Sequence, residues 1–523
     1  MLTVCPYFHV HQPYRIKHYR VFDIGNDNEY FNDHSETDLN NRRIVEKVAN
    51  KSYRPTNRIL QELLDNHPEF RFALSFSGTA LDQFEEYAPD VLESFQKLVA
   101  SGRVEILADT YHHSLAFFYS VPEFEKQVKK HEKRIQELFG VTPKVFRNTE
   151  LSYRNDLAKW CEDNGYLGIM AEGWDKYLGW RSPNFVYSPP GCSKIKVLLK
   201  NYKLSDDVAF RFGNQGWSSW PLKAETYVDW INSHHGNGQT INLFMDYETF
   251  GEHQWEDTGI FDFLRALPQM LTSRDDTSFK TPTETIKSYD SVGEIDVPDI
   301  LTWADTDRDL TAWTGNDIQK DAIASIYKME DGVLKTNDES LIETWRKLQT
   351  SDHFYYMCTK WSHDGDVHAY FSPYQSPYDA YIAFMNALSD LQLRVSHALK
   401  ERAEAEEKRA AKTAKAKVNK TSLVGDDEED YSDEEEMVDE VEEETPIATK
   451  PTTIFKKSPV ATFTKAKVAS RRHSSVSDQE KVTEVEPEEV KTIETISWLG
   501  KTKKLVKQIW AKTPFFNSSR ERG

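Results

Sequence analysis

The sequence predicts an α/β protein in which short parallel strands alternate with crossover helices, followed by a helix-rich part and a long charged tail. Three observations predict it. Strand-length apolar runs recur between helical patterns through the first 300 residues, polar residues repeatedly close those runs, and the composition breaks sharply near residue 400.

The elements follow in order. LTVCPYFHVH (2–11) reads as a strand, and 44–65 carries a helical pattern after a turn. FRFALSFSG (70–78) is a strand followed by a helix over 81–99, and VEILAD (104–109) is the next strand. A helix with a Gly stop fits 127–140, KVFRNTE (144–150) reads as a strand, 156–166 as a short helix and LGIMAE (167–172) as a strand. The polar residues His9, His11, Ser77, Asp109, Glu150, Glu172 and Asp246 fall at strand ends, where parallel barrels gather their active sites. Segments 256–274, 314–347 and 374–408 are helix-rich. The expected organisation is a catalytic barrel with inserted helices over 1–310 and a helix-rich region over 311–408. A disordered acidic and mixed linker is expected over 409–495, and a short basic amphipathic helix over 496–516.

The tail divides by composition. Residues 401–420 are good helix formers with almost no apolar face, so they extend a preceding helix into solvent. Residues 426–444 carry fourteen Asp and Glu and no base, a block that repels itself. At 496–516, Trp498, Leu499, Leu505, Ile509, Trp510 and Phe515 stand among lysines with no acid, a pattern suited to a partner or a surface.

Several classes are excluded. Of 523 residues, 38% are hydrophobic and 12% aromatic, enough to build a large core. Acids outnumber bases by 85 to 65, the wrong balance for a general nucleic-acid binder. The four cysteines are widely spaced without a CxxC, which fits a reducing compartment. The start, MLTVCPYFHVHQP, is not expected to be a signal peptide, and no run of about 18 apolar residues predicts a membrane span. A cytoplasmic location is the expectation. Neither nucleotide fingerprint and no G-x-S-x-G elbow is present.

Two carboxylates stand out. Glu150 ends VFRNTE; with strand alternation it shares a face with Asn148, while Arg147 becomes a neighbouring-strand partner, and nearby donors would hold the carboxylate ionised for nucleophilic attack. Asp246 closes the apolar run INLFMD, a setting that raises a carboxyl pKa and suits proton donation, with Glu248 on the same face. One charged and one protonated carboxyl are what glycosidic cleavage with retention needs. Trp, Tyr, Asp and His crowd the loops 173–184, 215–221, 301–316 and 359–374, as a sugar site requires. His9 and His11 on one strand face, with Asp109 and His112-His113, also permit a divalent ion and hence a metal-dependent carbohydrate deacetylase. HxH without a compact second motif is weak support for that, so no metal ligand is assigned.

Five regions in order, FHVHQP (8–13), GRVEILADTYHH (102–113), VFRNTE (145–150), FMDYETFGEH (244–253) and LTWADTDRDLTAWTGN (301–316), resemble glycoside hydrolase family 57. The resemblance spans about residues 1–400 and lies closest to the α-amylase-like members. It implies an incomplete (β/α)7 barrel followed by a helical subdomain, Glu150 as nucleophile, Asp246 as general acid/base, and an α-glucan substrate without a required cofactor. His11 and His9, Asp109, His112, Trp174, Glu248, Trp303, Asp305, Trp313 and Asn316 are the implied substrate contacts. A 4-α-glucanotransferase would use the same carboxylates; a catalytically silent glucan-binding protein would lack one of them.

Overall fold

The computed structural model describes residues 1–360 and 370–421. Its strands are β1 (Leu2–Val10), β2 (Phe72–Phe76), β3 (Val104–Ile106), β4 (Val145–Phe146), β5 (Gly168–Glu172), β6 (Lys196–Lys200), β7 (Thr240–Asp246) and β8 (Thr277–Phe279). All of their pairings are parallel. One sheet runs β3-β2-β1-β7, with β8 beside the first residues of β1, and the other runs β4-β5-β6. Two seams join them. Past β3, the Ala108 N–H bonds the Val145 carbonyl at 3.0 Å and the Arg147 N–H bonds the Ala108 carbonyl at 2.9 Å. Past β6, the Asn201 N–H bonds the Asn242 carbonyl at 2.9 Å, and the Asn242 amide donates to the Leu199 carbonyl at 2.8 Å. Strands β1 to β7 therefore close in chain order into a ring whose ladder is broken at two places, an incomplete barrel.

Local chemistry explains the elements. All nine residues of β1 are buried, as expected of a parallel strand covered on both faces. Ser77, directly after β2, accepts the Ala80 N–H and starts the helix Gly78–Tyr87. The helix Val121–Phe139 is capped by Ser120 and stops at Gly140, whose φ of 70° suits a residue without a Cβ.

The expected strand 144–150 is shorter than its sequence pattern. β4 ends at Phe146, and a 3-10 turn at Thr149–Leu151 puts Glu150 (φ 58°, ψ 26°) in the left-handed region. The Ser152 N–H and hydroxyl both bond the Thr149 carbonyl, at 3.0 and 2.6 Å, so this backbone is satisfied by its own turn. Strand alternation thus does not orient Glu150.

A second apolar cluster organises the helical part. Trp313, Ile326, Trp345, Phe384 and Leu388 pack there together with Ile16, Tyr19, Tyr30 and Leu39, so the excursion after β1 belongs to this core. The buried Asp390 carboxylate fastens it, accepting the Gly25 N–H at 2.6 Å and the Tyr30 hydroxyl. The helix Pro377–Thr421 runs past the expected limit at 408. Its exposed part is rich in Ala, Glu, Lys and Arg and carries an Arg402–Glu406 pair at 3.0 Å, so it needs no packing partner to stay helical. The expected linker therefore begins as helix. Its remainder and the expected amphipathic segment 496–516 lie outside the described residues, as do 361–369 within the aromatic loop 359–374. No helix among the described residues is long and apolar enough to cross a membrane.

Trp313 is a correction: it is 1% exposed in this second core, 5.8 Å from the Tyr355 ring, rather than in a groove. Its residue pattern fits a loop contact equally well, but burial of the whole indole makes it a packing group. Trp313→Ala is expected to cost about 3–5 kcal/mol of stability. Denaturant unfolding checks this, and an unchanged midpoint would contradict it.

Candidate active site

The carboxyl ends of the strands meet around a cluster of three imidazoles. In register, His9 lies opposite Asp246 on β7 and opposite Ser75 on β2. Its Nδ1 is 2.7 Å from Ser75 Oγ, and its Nε2 is 3.1 Å from His113 Nε2. The His113 Nδ1 is 3.0 Å from Ser351 Oγ. The His11 ring stacks on His113 with centroids 3.9 Å apart, its Nδ1 2.7 Å from Ser77 Oγ and its Nε2 2.8 Å from Asp352 Oδ2. Burial, reinforced by neighbouring cations, pushes His9 below its ordinary value and His113 down to about 3, so both stay neutral at pH 7. Burial opposes ionisation of Asp352, but His11 and His113 outweigh it and hold that carboxyl well below the usual range.

Arg147 lies beneath this cluster. Its Nη1 is 3.2 Å from Asp109 Oδ2 and 3.3 Å from His113 Nε2, and its guanidinium covers the Trp303 ring at 5.0 Å. It is a neighbouring-strand partner, as the sequence suggests. Glu150 is reached differently: Trp303 Nε1–H donates to its Oε2 at 3.1 Å and the Ser351 hydroxyl to its Oε1 at 2.9 Å. Burial and the nearby Asp352 nevertheless push Glu150 up to about 7, against Arg147, Trp303 and Ser351. The expectation that donors alone keep it ionised needs that correction: desolvation is the larger effect.

Asp246 is half-buried, and no protein group described here hydrogen-bonds its carboxyl. Burial raises its pKa against His253 and Arg147, the setting expected of a proton donor. Glu248, two residues on, is buried behind His11, accepting the His11 N–H at 3.4 Å and the Tyr53 hydroxyl. Burial and the Asp246 charge push it up to about 8.

The remaining expected contacts divide. Trp303 reaches the site. Asp109 is wholly buried under Arg147, with burial pushing it up to about 6. His112 does not join the imidazole cluster: it is buried 3.4 Å from Lys130 Nζ and 3.6 Å from Glu343, and His113 takes the place expected for it. The cause is the left-handed turn at His113 (φ 50°), which sets which of the two histidines faces inward. Trp174 stands at the start of a short helix, 5.8 Å from Tyr177. Asp305 has a φ of 56° and pairs with Lys360 at 3.3 Å. Asn316 caps the helix Asp317–Lys328 in a reciprocal box with Gln319, and its amide donates to the Met357 carbonyl at 2.8 Å, so its polar groups are spent on structure.

Sequence reasoning misses Ser351 and Asp352. They come from the helical part, which the backbone draws in through a Ser351 N–H to His113 carbonyl bond of 2.9 Å. It also misses the buried Lys200, which bonds Asp206 at 2.8 Å, pairs with Glu172 at 3.4 Å and stands 5.6 Å over Trp303. A charged residue closing the apolar strand β6 is the signal that finds it. Two sets could hold a cation, His9 with His11 and His113, and His113 with Glu150 and Asp352, each with ligand atoms within 4.8 Å of one another. Arg147 opposes a cation at the first. Chemically, the mouth offers one carboxyl fixed by two neutral donors and a second carboxyl with no hydrogen bond from the described residues.

The sequence profile described as Glycosyl hydrolase family 57 matches residues 7–298. A protein of Methanocaldococcus jannaschii named "Putative alpha-amylase" is 39% identical over 454 residues, covering 84% of this chain and 91% of its own. A protein of Thermococcus litoralis named 4-alpha-glucanotransferase is 30% identical over 271 residues, covering 49% of this chain and 38% of its own. The crystal structure of a GH57-type branching enzyme from Pyrococcus horikoshii superposes with a TM-score of 0.54 at 14% identity, over 70% of this chain and 87% of that one; this likeness is of fold.

Because Glu150 titrates near 7 when folded and near 4.5 when unfolded, the unfolded chain releases this proton first as pH rises. The contribution of this group to stability therefore falls between those two values and is level above them. Glu150→Gln is expected to match wild type near pH 4.5 and to exceed it increasingly up to pH 7, by at most about 3 kcal/mol. Thermal unfolding across pH checks this, and a difference independent of pH would contradict it.

Proposed function

The chain belongs to glycosyl hydrolase family 57, and on that premise we propose that it cleaves α-1,4-glucosidic bonds of starch, glycogen or maltooligosaccharides with retention of configuration. The observation that carries this reading is the pair of unlike carboxyls in one mouth: Glu150 oriented by Trp303 and Ser351, and Asp246 half-buried without a hydrogen bond from any group among the described residues. In the first step Asp246 gives its proton to the glycosidic oxygen as the bond from that oxygen to the anomeric carbon breaks and a Glu150 oxygen bonds the carbon. The Trp303 and Ser351 donors, being neutral, favour the anion without fixing a positive charge on it. In the second step Asp246, now a base, takes a proton from water, which attacks the anomeric carbon and releases Glu150.

The same intermediate can be taken by the 4-hydroxyl of another glucan, which would make the enzyme a 4-α-glucanotransferase. The Thermococcus litoralis relative of that name supports this second reading. The metal-dependent deacetylase reading rests on the two possible ligand sets and needs an ion in them. The carboxylate mechanism requires none.

Product analysis with maltoheptaose tests the reading. Net new reducing ends identify hydrolysis; longer and shorter chains at nearly constant reducing ends identify transfer. Asp246→Asn is expected to lower the rate by about 10²–10⁴-fold and Glu150→Gln at least as much. Activity is expected to survive exhaustive chelation, and its loss, restored by a divalent ion, would overturn the metal-free mechanism. Release of acetate from an acetylated sugar, without cleavage of maltoheptaose, would favour the deacetylase reading instead.

A further inference from the structure

If Asp246 protonates the leaving oxygen, the groups that adjoin Asp246 rather than Glu150 face the departing chain, and that chain's place is also where an acceptor sugar enters. The loop after β7 folds His253 back onto the turn that follows Asp246: its N–H bonds the carbonyl of Glu248, two residues past Asp246, at 2.9 Å, and it is near enough to act against the burial that raises the Asp246 pKa. The His253 ring meets Phe371 edge-on, with centroids 5.4 Å apart and planes at 77°, and Tyr370 at 6.5 Å. Tyr370 and Phe371 themselves stand 5.1 Å apart at 85°. The residue preceding His253, Glu252, is held by Lys47 at 2.8 Å and Lys51 at 3.4 Å, and the Lys51 ammonium lies 4.9 Å over the Trp255 ring. From the loop that follows Asp246, contacts thus lead outward from His253 to Phe371 and Tyr370, while a second series, Glu252 to Lys51 to Trp255, starts from the same loop.

The three outer rings are open. Phe371 is 38% exposed, Trp255 57% and Tyr370 61%. Large rings left in water beside a catalytic mouth, edged by an acid and an amine, match the two faces of a pyranose: its C–H face stacks on a ring while its hydroxyls bond charged groups at the rim. The ordinary account of an exposed aromatic, a scattered surface residue, does not explain Tyr370 and Phe371 packed on each other and on His253, with Trp255 two residues along the same loop under the Lys51 ammonium.

We propose that Phe371, Tyr370 and Trp255 form the binding surface for the leaving and acceptor segment of an α-glucan, and so set how the glucosyl intermediate is divided between sugar and water. This rests on the reading of Asp246 as the acid. An acceptor held on these rings attacks from a bound state, whereas water needs no such surface; weakening the rings favours water.

The test compares wild type, a Tyr370→Ala/Phe371→Ala variant, Trp255→Ala, and the ring-preserving Tyr370→Phe. Two probes are used: maltoheptaose, which fills both sides of the cleavage point, and 4-nitrophenyl α-maltotrioside, whose leaving group carries no sugar. The double variant is expected to lose about tenfold in kcat/KM on maltoheptaose, mostly through KM, and to lower its ratio of transfer to hydrolysis at least fivefold. On the aryl glycoside its loss should be under threefold, and Tyr370→Phe should keep the wild-type ratio. Equal losses on both probes, or no change in either the ratio or KM, would overturn the proposal. If wild type cleaves neither probe, the catalytic reading fails by itself. Calorimetric binding of maltoheptaose to Glu150→Gln then decides separately: affinity weakened by the ring substitutions supports the surface, and affinity unchanged by them overturns it.

Discussion

One buried guanidinium sets the terms for the whole mouth of the barrel. Arg147 and its partner Asp109 are both fully buried, 3.2 Å apart, and Arg147 Nε and Nη2 have no hydrogen-bond partner among the described residues. Such a pair is held at a desolvation cost that only close contact offsets, and loss of one member leaves the other charge uncompensated. The backbone of Arg147 also closes the β3–β4 seam through its bond to Ala108. The residue that stitches the ring together therefore places a positive charge under the site. That charge lowers the pKa of Asp109, Glu150 and Asp246 against burial, and it also presses His9 and His113 toward neutrality. Five titratable groups take their protonation in part from one side chain.

The broken ladder has a structural use. Had β4 continued, Glu150 would point with the strand pleat, and its direction would follow from Phe146 by alternation. Because the strand stops at the seam, the chain turns instead, and Glu150 adopts a left-handed conformation uncommon for a residue with a side chain. Such conformations persist only where surroundings over-determine them. Here the Trp303 and Ser351 bonds do so, one from the loop after the barrel and the other from the helical part. The site is thus built between the two parts of the fold, with Asp352 completing the imidazole cluster from the far side.

These origins explain which features are legible in the sequence. Strand-end residues such as His9, Glu150 and Asp246 are readable because apolar runs mark where a parallel strand stops, and the side chains there lie at its mouth. His113 rather than His112 is unreadable, since the choice depends on a positive φ inside a turn and not on any period. Ser351 and Asp352 carry no local signal; they are brought in by contacts more than 200 residues away in the chain. Trp313 and Asn316 mislead for the opposite reason. An aromatic in a polar loop and an Asn before a helix look alike in sequence whether they face a ligand, a core or a helix end. The direction of the Glu150 shift also escapes sequence reading, because it depends on how deeply the carboxyl is set relative to its donors.

In the proposed mechanism, the carboxyl pair by itself cannot distinguish hydrolysis from transfer, because both routes would share the intermediate and the base. The distinction must be made by groups that touch the second substrate. Small energies suffice: a tenfold change in partition corresponds to about 1.4 kcal/mol, and one aromatic contact contributes about 0.5–1.5 kcal/mol beyond its area. Two or three rings are therefore enough to move an enzyme of this kind from one outcome to the other while leaving Glu150, Asp246 and Arg147 untouched. The physical problem of charging and discharging buried carboxyls over one guanidinium is met inside the ring of strands. On the proposed reading, the choice of what receives the sugar falls to the loops and to the helical part, where rings such as Phe371 lie outside the Arg147 charge cluster.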